Sequence, residues 1–166
     1  MGFMRRIRLE FVRGVEVEFT DRELAIRQIY EWAEKGMRFP QVIFGPEGCG
    51  KTAWLRQSAE ILRELGFEVI YINPLERSFY AEIGVEDVKR KLLDMLMEAT
   101  EAAWVRAVSA LIMFVRELIE AGRKKIAVLV DDAFQVIGID RAATYVKGLL
   151  GLIEYPPRSY DNIVAI

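Results

Sequence analysis

Gly45-Pro-Glu-Gly-Cys-Gly-Lys51-Thr52 is the stretch that decides the fold of this chain. It fits the pattern GxxxxGK(S/T), and it stands between a short apolar run, Gln41 to Phe44, and a helical pattern that begins at Lys51. Glycines at this spacing let several backbone N–H groups turn toward one anion, and the positive end of the following helix reinforces them. The sequence therefore predicts a phosphate-binding loop that joins a strand to a helix.

The side chains of this loop predict how a nucleoside triphosphate is held. Lys51 is expected to reach the β- and γ-phosphates and to act in catalysis, and the Thr52 hydroxyl is a hard oxygen ligand suited to Mg²⁺. A glycine-rich turn without function would require neither of these two side chains. The predicted nucleotide contacts are Gly45, Pro46, Glu47, Gly48, Cys49, Gly50, Lys51 and Thr52.

Two aspartates after a continuous apolar run complete the predicted site. Asp131 and Asp132 follow Ile126-Ala-Val-Leu-Val130, which has the character of a strand buried on both faces. We expect Asp131 to hold Mg²⁺ through water and Asp132 to orient or activate the attacking water. Taken alone, an acidic pair after a strand is as typical of a loop start or a helix cap.

The rest of the chain alternates apolar runs with helical patterns, which predicts an α/β protein with a parallel sheet. Residues 1–19 are predicted to form an N-terminal β hairpin, and residues 20–166 the core of a single domain. The predicted core strands, in spatial order, are 41–44, 162–166, 125–130 and 68–72, and the predicted helices are 20–35, 51–65, 85–121 with a break near Thr100, and 140–153. Residues 73–84 are interpreted as a loop.

Composition excludes several classes of protein. One cysteine and no histidine among 166 residues leave no disulfide framework and no ligand set for structural zinc. A net charge of −2 gives no overall basic footprint for nucleic acid. The most apolar stretch, Trp104 to Ile119, is interrupted by Arg106 and Arg116 and falls short of a membrane span. We expect a cytoplasmic protein that does not enter the membrane.

Three stretches resemble the archaeal ATPases related to the AAA+ and STAND groups. They are Phe19-Thr-Asp-Arg-Glu23, Gly45 to Thr52, and Val128-Leu-Val-Asp-Asp-Ala-Phe-Gln135. The resemblance implies a three-layer α/β fold of the P-loop NTPase type, with Phe19 and Arg22 beside the adenine. A helix that is simply capped by Asp21 explains the first stretch equally well.

The chain departs from this family pattern at two places. The family has glutamate after the metal-holding aspartate, where this sequence has Asp132, whose side chain is one methylene shorter. The family also continues past the fourth strand into a sensor residue, a fifth strand and a helical lid. Because this sequence ends inside the fourth apolar run, we expect a domain truncated after the fourth core strand, with its C-terminal part missing.

The resemblance implies an ATP-binding domain that uses ATP or ADP with Mg²⁺, and two function classes stay open. One is an ATPase that hydrolyses ATP slowly to drive or set a conformational change. The other is a switch module that is controlled by the nucleotide without turnover. A small P-loop kinase, a third reading, would need an arginine-rich lid. The partners expected are ATP and a second copy or another protein, with nucleic acid bound only through residues that follow Ile166.

Overall fold

The structure is a computed structural model of the chain. It describes residues 8–18, 22–73, 75–76, 78–81, 90, 94, 101–122, 125–132, 135, 138, 140, 142–154 and 162–166. The strands are β1 (Arg8–Val12), β2 (Val15–Glu18), β3 (Glu68–Asn73), β4 (Ser78–Ala81), β5 (Lys125–Val130) and β6 (Asn162–Ala165). The helices are α1 (Glu23–Lys35), α2 (Lys51–Glu64), α3 (Glu101–Glu120) and α4 (Ala142–Glu154).

The main sheet has the strand order β4-β3-β5-β6. Strands β3, β5 and β6 are parallel, so the fold is α/β with a parallel sheet, and the predicted neighbours of residues 125–130 are confirmed. Strands β1 and β2 pair antiparallel in a separate two-stranded sheet, which lies within the range predicted to form a hairpin. No helix in the part of the chain that the structure describes has both the length and the apolar character needed to cross a membrane.

Strand β4 corrects the interpretation of residues 73–84 as a loop. It pairs antiparallel with β3 and forms the outer edge of the sheet, so residues 68–72 are not outermost. The reversal between the two strands depends on Asn73, whose Oδ1 accepts a hydrogen bond of 2.9 Å from the Glu76 backbone N–H. An Asn side chain that accepts a hydrogen bond from a backbone N–H a few residues later favours a turn. A four-residue strand after such a turn is too short to show a clear period in the sequence.

The segment Gln41 to Phe44 does not form the strand that the sequence predicts. It is irregular, and Val42, Ile43 and Phe44 are exposed by 40%, 42% and 89%. A central parallel strand is stabilised by neighbours on both of its edges. The sheet ends at β6, and among the described residues no strand lies beyond this segment. The segment therefore has a possible partner on one edge only, and the prediction of a central strand is wrong here.

The core lies against one face of the sheet, under α1 and α2. Residues Val69 and Tyr71 of β3 and Ala127 and Leu129 of β5 point to that face and pack with both helices. Residues of the opposite parity, such as Ile70, are also buried, as expected of parallel strands in α/β proteins. Helix α2 therefore packs over the face that carries the odd-numbered residues of β3 and β5.

Two tryptophans join α1 to α2 in this core. The rings of Trp32 and Trp54 meet edge to face, with their centroids 6.5 Å apart, an arrangement that aromatic pairs favour. At its C-terminal end α2 is closed by two backbone hydrogen bonds, from Gly66 N to Arg63 O and from Phe67 N to Leu62 O, both 3.0 Å long. This pattern requires a left-handed residue, and Gly66 supplies it with φ +84°. Helix α2 thus packs against α1 through the tryptophan pair, and the turn at Gly66 ends the helix.

Candidate nucleotide site

The loop from Gly45 to Thr52 turns directly into α2. Gly50, the residue before the helix, has a left-handed backbone with φ 83°, and Gly48 has φ 77°. The Trp54 N–H donates to Gly50 O at 3.0 Å, which starts the helix, and the Cys49 N–H donates to Pro46 O at 3.3 Å. The free N–H groups of a helix start and the positive end of its dipole favour an anion at this position.

The Lys51 ammonium lies over the loop rather than away from it. Its Nζ donates hydrogen bonds of 2.9 Å to both Gly45 O and Pro46 O, and it lies 3.9 Å from Cys49 Sγ. The charge is therefore held at the mouth of the loop, where a phosphate would meet it. Cys49 itself is exposed and unoxidised.

Asp131 lies at the C-terminal end of β5 and is held by three hydrogen bonds. Its backbone N–H donates to Ile72 O at 2.8 Å, which continues the ladder between β3 and β5. Its side chain accepts from the Tyr71 hydroxyl at 2.7 Å on Oδ2 and from the Asp132 N–H at 3.1 Å on Oδ1. The residue is only 5% exposed. A carboxylate so far buried keeps its position because its oxygens are satisfied.

Asp132 has an unusual backbone and a perturbed carboxyl group. Its φ of 50° lies in the left-handed region, and among the described non-glycine residues it alone does so; aspartate tolerates this conformation better than most residues. Burial, and then the charge of Asp131, raise the pKa of the Asp132 carboxyl above its usual range, while Asn73 and Lys51 lower it. The amide of Gln135 donates to Asp132 Oδ1 at 3.4 Å. Asp132 thus lies between a like charge and the Lys51 ammonium.

One cavity of about 270 Å³ brings the two halves of the predicted site together. From the loop it is lined by Gly45, Glu47 and Lys51, and from the end of β5 by Asp131 and Asp132. These two groups lie about 80 positions apart in the sequence and meet because the loop leads into α2, which packs on β3 and β5, and Asp131 directly follows β5. Its other lining residues are Gln41, Val42, Ile43, Phe44, Leu55, Val130, Gln135 and Ile166.

Thr52 is half-buried in the first turn of α2 and does not line this cavity. It lies four residues before Arg56 and therefore on the same side of the helix. Arg56 lies beside the Tyr71 hydroxyl that holds Asp131.

The two residues predicted beside the adenine have different outcomes. Phe19 lies outside the described residues. Arg22 immediately precedes α1, and its Nη2 donates a hydrogen bond to Cys49 O. The structure thus brings Arg22 to the phosphate-binding loop, and its contact with a base stays a prediction.

Three residues of the site were missed by the sequence reasoning. They are Tyr71, whose hydroxyl holds Asp131, Asn73 beside Asp132, and Gln135, which contacts Asp132. Tyr71 and Asn73 are polar residues at the carboxyl end of a run that is otherwise buried and apolar. Polar side chains at the carboxyl end of a predicted parallel strand are a usable signal, because ligands bind at that edge of such sheets.

A family model described as an ATPase domain predominantly from Archaea matches residues 19–166 of the chain. Searches of curated proteins and of solved structures gave no significant match. The matched range contains the Gly45–Thr52 loop, Arg22 and both aspartates, and excludes the β1–β2 hairpin.

Proposed function

Because the chain belongs to a family of ATPase domains found predominantly in Archaea, we propose that it binds ATP with Mg²⁺ and hydrolyses it slowly to drive or set a conformational change. The observation that supports this most strongly is the cavity that joins Gly45, Glu47 and Lys51 to Asp131 and Asp132. The same proposal assigns the core to the three-layer P-loop NTPase architecture and the protein to the cytoplasm.

The residues present fit a magnesium ion that is shared with the nucleotide. Within the described ranges no three His, Cys, Asp or Glu side chains cluster closely enough to enclose a metal ion. Magnesium in nucleotide sites is instead bound by one or two protein oxygens together with substrate phosphates and water. The Thr52 hydroxyl and the Asp131 carboxylate are two such hard oxygens. Bound there, the ion would neutralise charge on the phosphates.

Each remaining residue of the site has a defined task in this proposal. The Lys51 ammonium would exchange its bonds to Gly45 O and Pro46 O for phosphate oxygens, since charge-assisted bonds to phosphate are stronger than those to carbonyls. Asp132 would accept a proton from the attacking water. The loop N–H groups would hold the β-phosphate.

Slow turnover is proposed because Asp132 has a shorter reach than glutamate. Its carboxylate stops about 1.5 Å short of a glutamate carboxylate, and errors of about 1 Å in position can lower a rate on the order of a hundredfold. The hydrogen bond from the Gln135 amide to Asp132 Oδ1 also limits the rotation of this carboxylate. We expect turnover well below the roughly 1 to 100 per second of phosphoryl-transfer kinases. A switch without turnover is the second candidate, and the short reach of Asp132 favours it as well.

Calorimetry of ATP binding with Mg²⁺ tests the proposal. Replacing Lys51 with alanine removes charge-assisted bonds worth roughly 1.5 to 3 kcal/mol each, so the affinity should fall about tenfold or more. Lys147→Ala is the matched control, because Lys147 is an exposed lysine of α4 that does not line the cavity. Equal ATP affinity in the Lys51→Ala and Lys147→Ala variants would refute the site.

A steady-state phosphate-release assay then separates the two candidates. A slow release that is absent in Lys51→Ala supports the ATPase, whereas tight binding without any release supports the switch. Phosphate release at the rate of a fast kinase would contradict the inference that the short reach of Asp132 slows hydrolysis.

A further inference from the structure

Tyr71 is a buried polar side chain that the proposed function does not yet use. It lies on β3 opposite Leu129 of β5, and Asp131 follows two residues later on the same face of the sheet. The residue is 9% exposed, and its hydroxyl donates to Asp131 Oδ2 at 2.7 Å. The phenol thus reaches across the strand pair to the carboxylate that is proposed to hold Mg²⁺.

We propose that Tyr71 is a positioning residue for the metal ion: its hydroxyl fixes the Asp131 carboxylate in the orientation that accepts Mg²⁺-bound water. This inference rests on the proposed Mg²⁺–ATP site and adds a residue to it. Tyr71 touches neither the nucleotide nor the ion in this proposal, and it acts only through Asp131.

The geometry of the carboxylate supports the assignment. An aspartate side chain can rotate about its last torsion, and here both of its oxygens are tied, Oδ1 to the Asp132 N–H and Oδ2 to the Tyr71 hydroxyl. Each carboxylate oxygen carries two lone pairs, so one hydrogen bond to each leaves acceptor sites for water on the metal. The orientation of the Asp131 carboxylate is therefore fixed, while acceptor sites on its oxygens stay open.

The chemistry of the donor also matters. A lysine or arginine in place of Tyr71 would fix the carboxylate equally well but would cancel its charge, which is the property that attracts a divalent cation. A phenol donates a hydrogen bond and stays neutral. The full negative charge of Asp131 is thus kept for the ion.

Arg56 connects this arrangement to the phosphate-binding helix. Its guanidinium lies near the Tyr71 hydroxyl, and its Nη2 lies 3.8 Å from Glu76 Oε2. Thr52 lies one turn earlier on the same side of α2, so the helix that carries one proposed metal ligand also places Arg56 near the tyrosine that holds the other.

The test is a Mg²⁺ titration of ATP binding in the Tyr71→Phe variant, which loses only the hydroxyl. Removing a residue that orients a metal ligand typically lowers metal affinity about tenfold or more, so the Mg²⁺ midpoint should rise about tenfold. ATP affinity in the presence of a chelator should stay unchanged, because Lys51 and the loop are untouched. An unchanged Mg²⁺ midpoint would overturn the proposal.

Tyr80→Phe is the matched control. Tyr80 lies opposite Tyr71 in the ladder between β3 and β4, is 48% exposed and does not line the cavity. Its substitution should leave the midpoint where it is. A rise as large as that of Tyr71→Phe would show a general effect on the sheet and would overturn the positioning role.

A double-mutant comparison separates positioning from simple support of the fold. Asp131→Asn keeps the shape of the side chain and removes its charge, and in that background Tyr71→Phe should cause no further change in the Mg²⁺ midpoint. A second, additive rise would mean that Tyr71 does not act through Asp131. Failure of the parent chain to bind ATP with or without Mg²⁺ would refute the proposed function itself, a result distinct from an unchanged midpoint in a chain that binds.

Discussion

At the scale of single residues, Asp132 combines an unusual backbone with a perturbed carboxyl group. Its backbone lies in the left-handed region, and its carboxyl group is raised in pKa by burial and by its neighbour Asp131. Strained backbone geometry of this kind is found at functional sites more often than elsewhere. The position therefore has the character of an active-site residue even though aspartate gives it a short reach.

The substitution Asp132→Glu tests whether reach limits turnover. If it does, phosphate release should rise, by up to the hundredfold that about 1 Å of misplacement can cost. Glutamate tolerates a positive φ less well than aspartate, so the thermal midpoint of the variant should be measured alongside the rate. The isosteric Asp132→Asn is the control, because it keeps the shape and removes the base. It should bind ATP and release no phosphate, and equal rates in all three forms would exclude Asp132 from the reaction.

At the scale of the elements, the site depends on the path that leads into and out of α2. The helix begins at the left-handed Gly50 and ends at the left-handed Gly66. Between these ends it packs on α1 and on the sheet face that also carries Tyr71 and Leu129. The two glycines therefore set where the phosphate-binding helix starts and how long it is.

Gly66→Ala should destabilise the fold without changing the site. A residue with a Cβ in the left-handed region costs roughly 1 to 2 kcal/mol, and the φ of +84° leaves alanine no relaxed alternative. The free energy of unfolding, measured by urea denaturation, should fall by about that amount while ATP affinity is unchanged.

Gly151→Ala provides a control of opposite sign. Gly151 lies within α4, and an added Cβ meets nothing within 4 Å there. Alanine should stabilise this helix by roughly 0.5 to 1 kcal/mol. Equal effects of the two substitutions would show that the backbone at Gly66 is not under the constraint described.

The phosphate-binding loop, α2 and the strand that precedes Asp131 were predictable from the sequence for a physical reason. Each is specified locally, by glycine spacing at Gly45 to Thr52, by helical period after Lys51, and by continuous apolar character in Ile126 to Val130. The strand expected at Gln41 to Phe44 was not, because pairing depends on neighbours that an apolar run does not reveal. Tyr71 escaped notice for a related reason, since its contact with Asp131 spans 60 positions.

At the scale of the whole molecule, the proposed site links nucleotide binding to global stability. The loop, α2 and β5 line the cavity, and α2, β3 and β5 supply much of the core. A ligand that binds only the folded chain stabilises it by mass action. Stability should therefore report on binding even if turnover is too slow to measure.

ATP with Mg²⁺ should raise the thermal midpoint of the chain. At a ligand concentration about 100 times the dissociation constant the gain is about 2.7 kcal/mol, which corresponds to roughly 5 to 10 °C for a chain of this length. Scanning fluorimetry of the parent chain and of Lys51→Ala gives the comparison. An unchanged thermal midpoint of the parent chain at saturating nucleotide would contradict the proposed site. A full rise of the midpoint in Lys51→Ala would show that Lys51 does not contribute to binding.

The edge-to-face contact of Trp32 with Trp54 gives this protein a built-in optical reporter. Trp54 lies three residues after Lys51 and is 3% exposed, and Trp32 lies on the helix that follows Arg22. One ring is thus carried by the phosphate-binding helix and the other by the helix next to it. A shift of one helix against the other would change the distance and angle between the two indoles, and with them the intensity of ultraviolet emission. Nucleotide-driven movement at this site can therefore be followed in real time, by stopped-flow fluorescence, in the unlabelled chain.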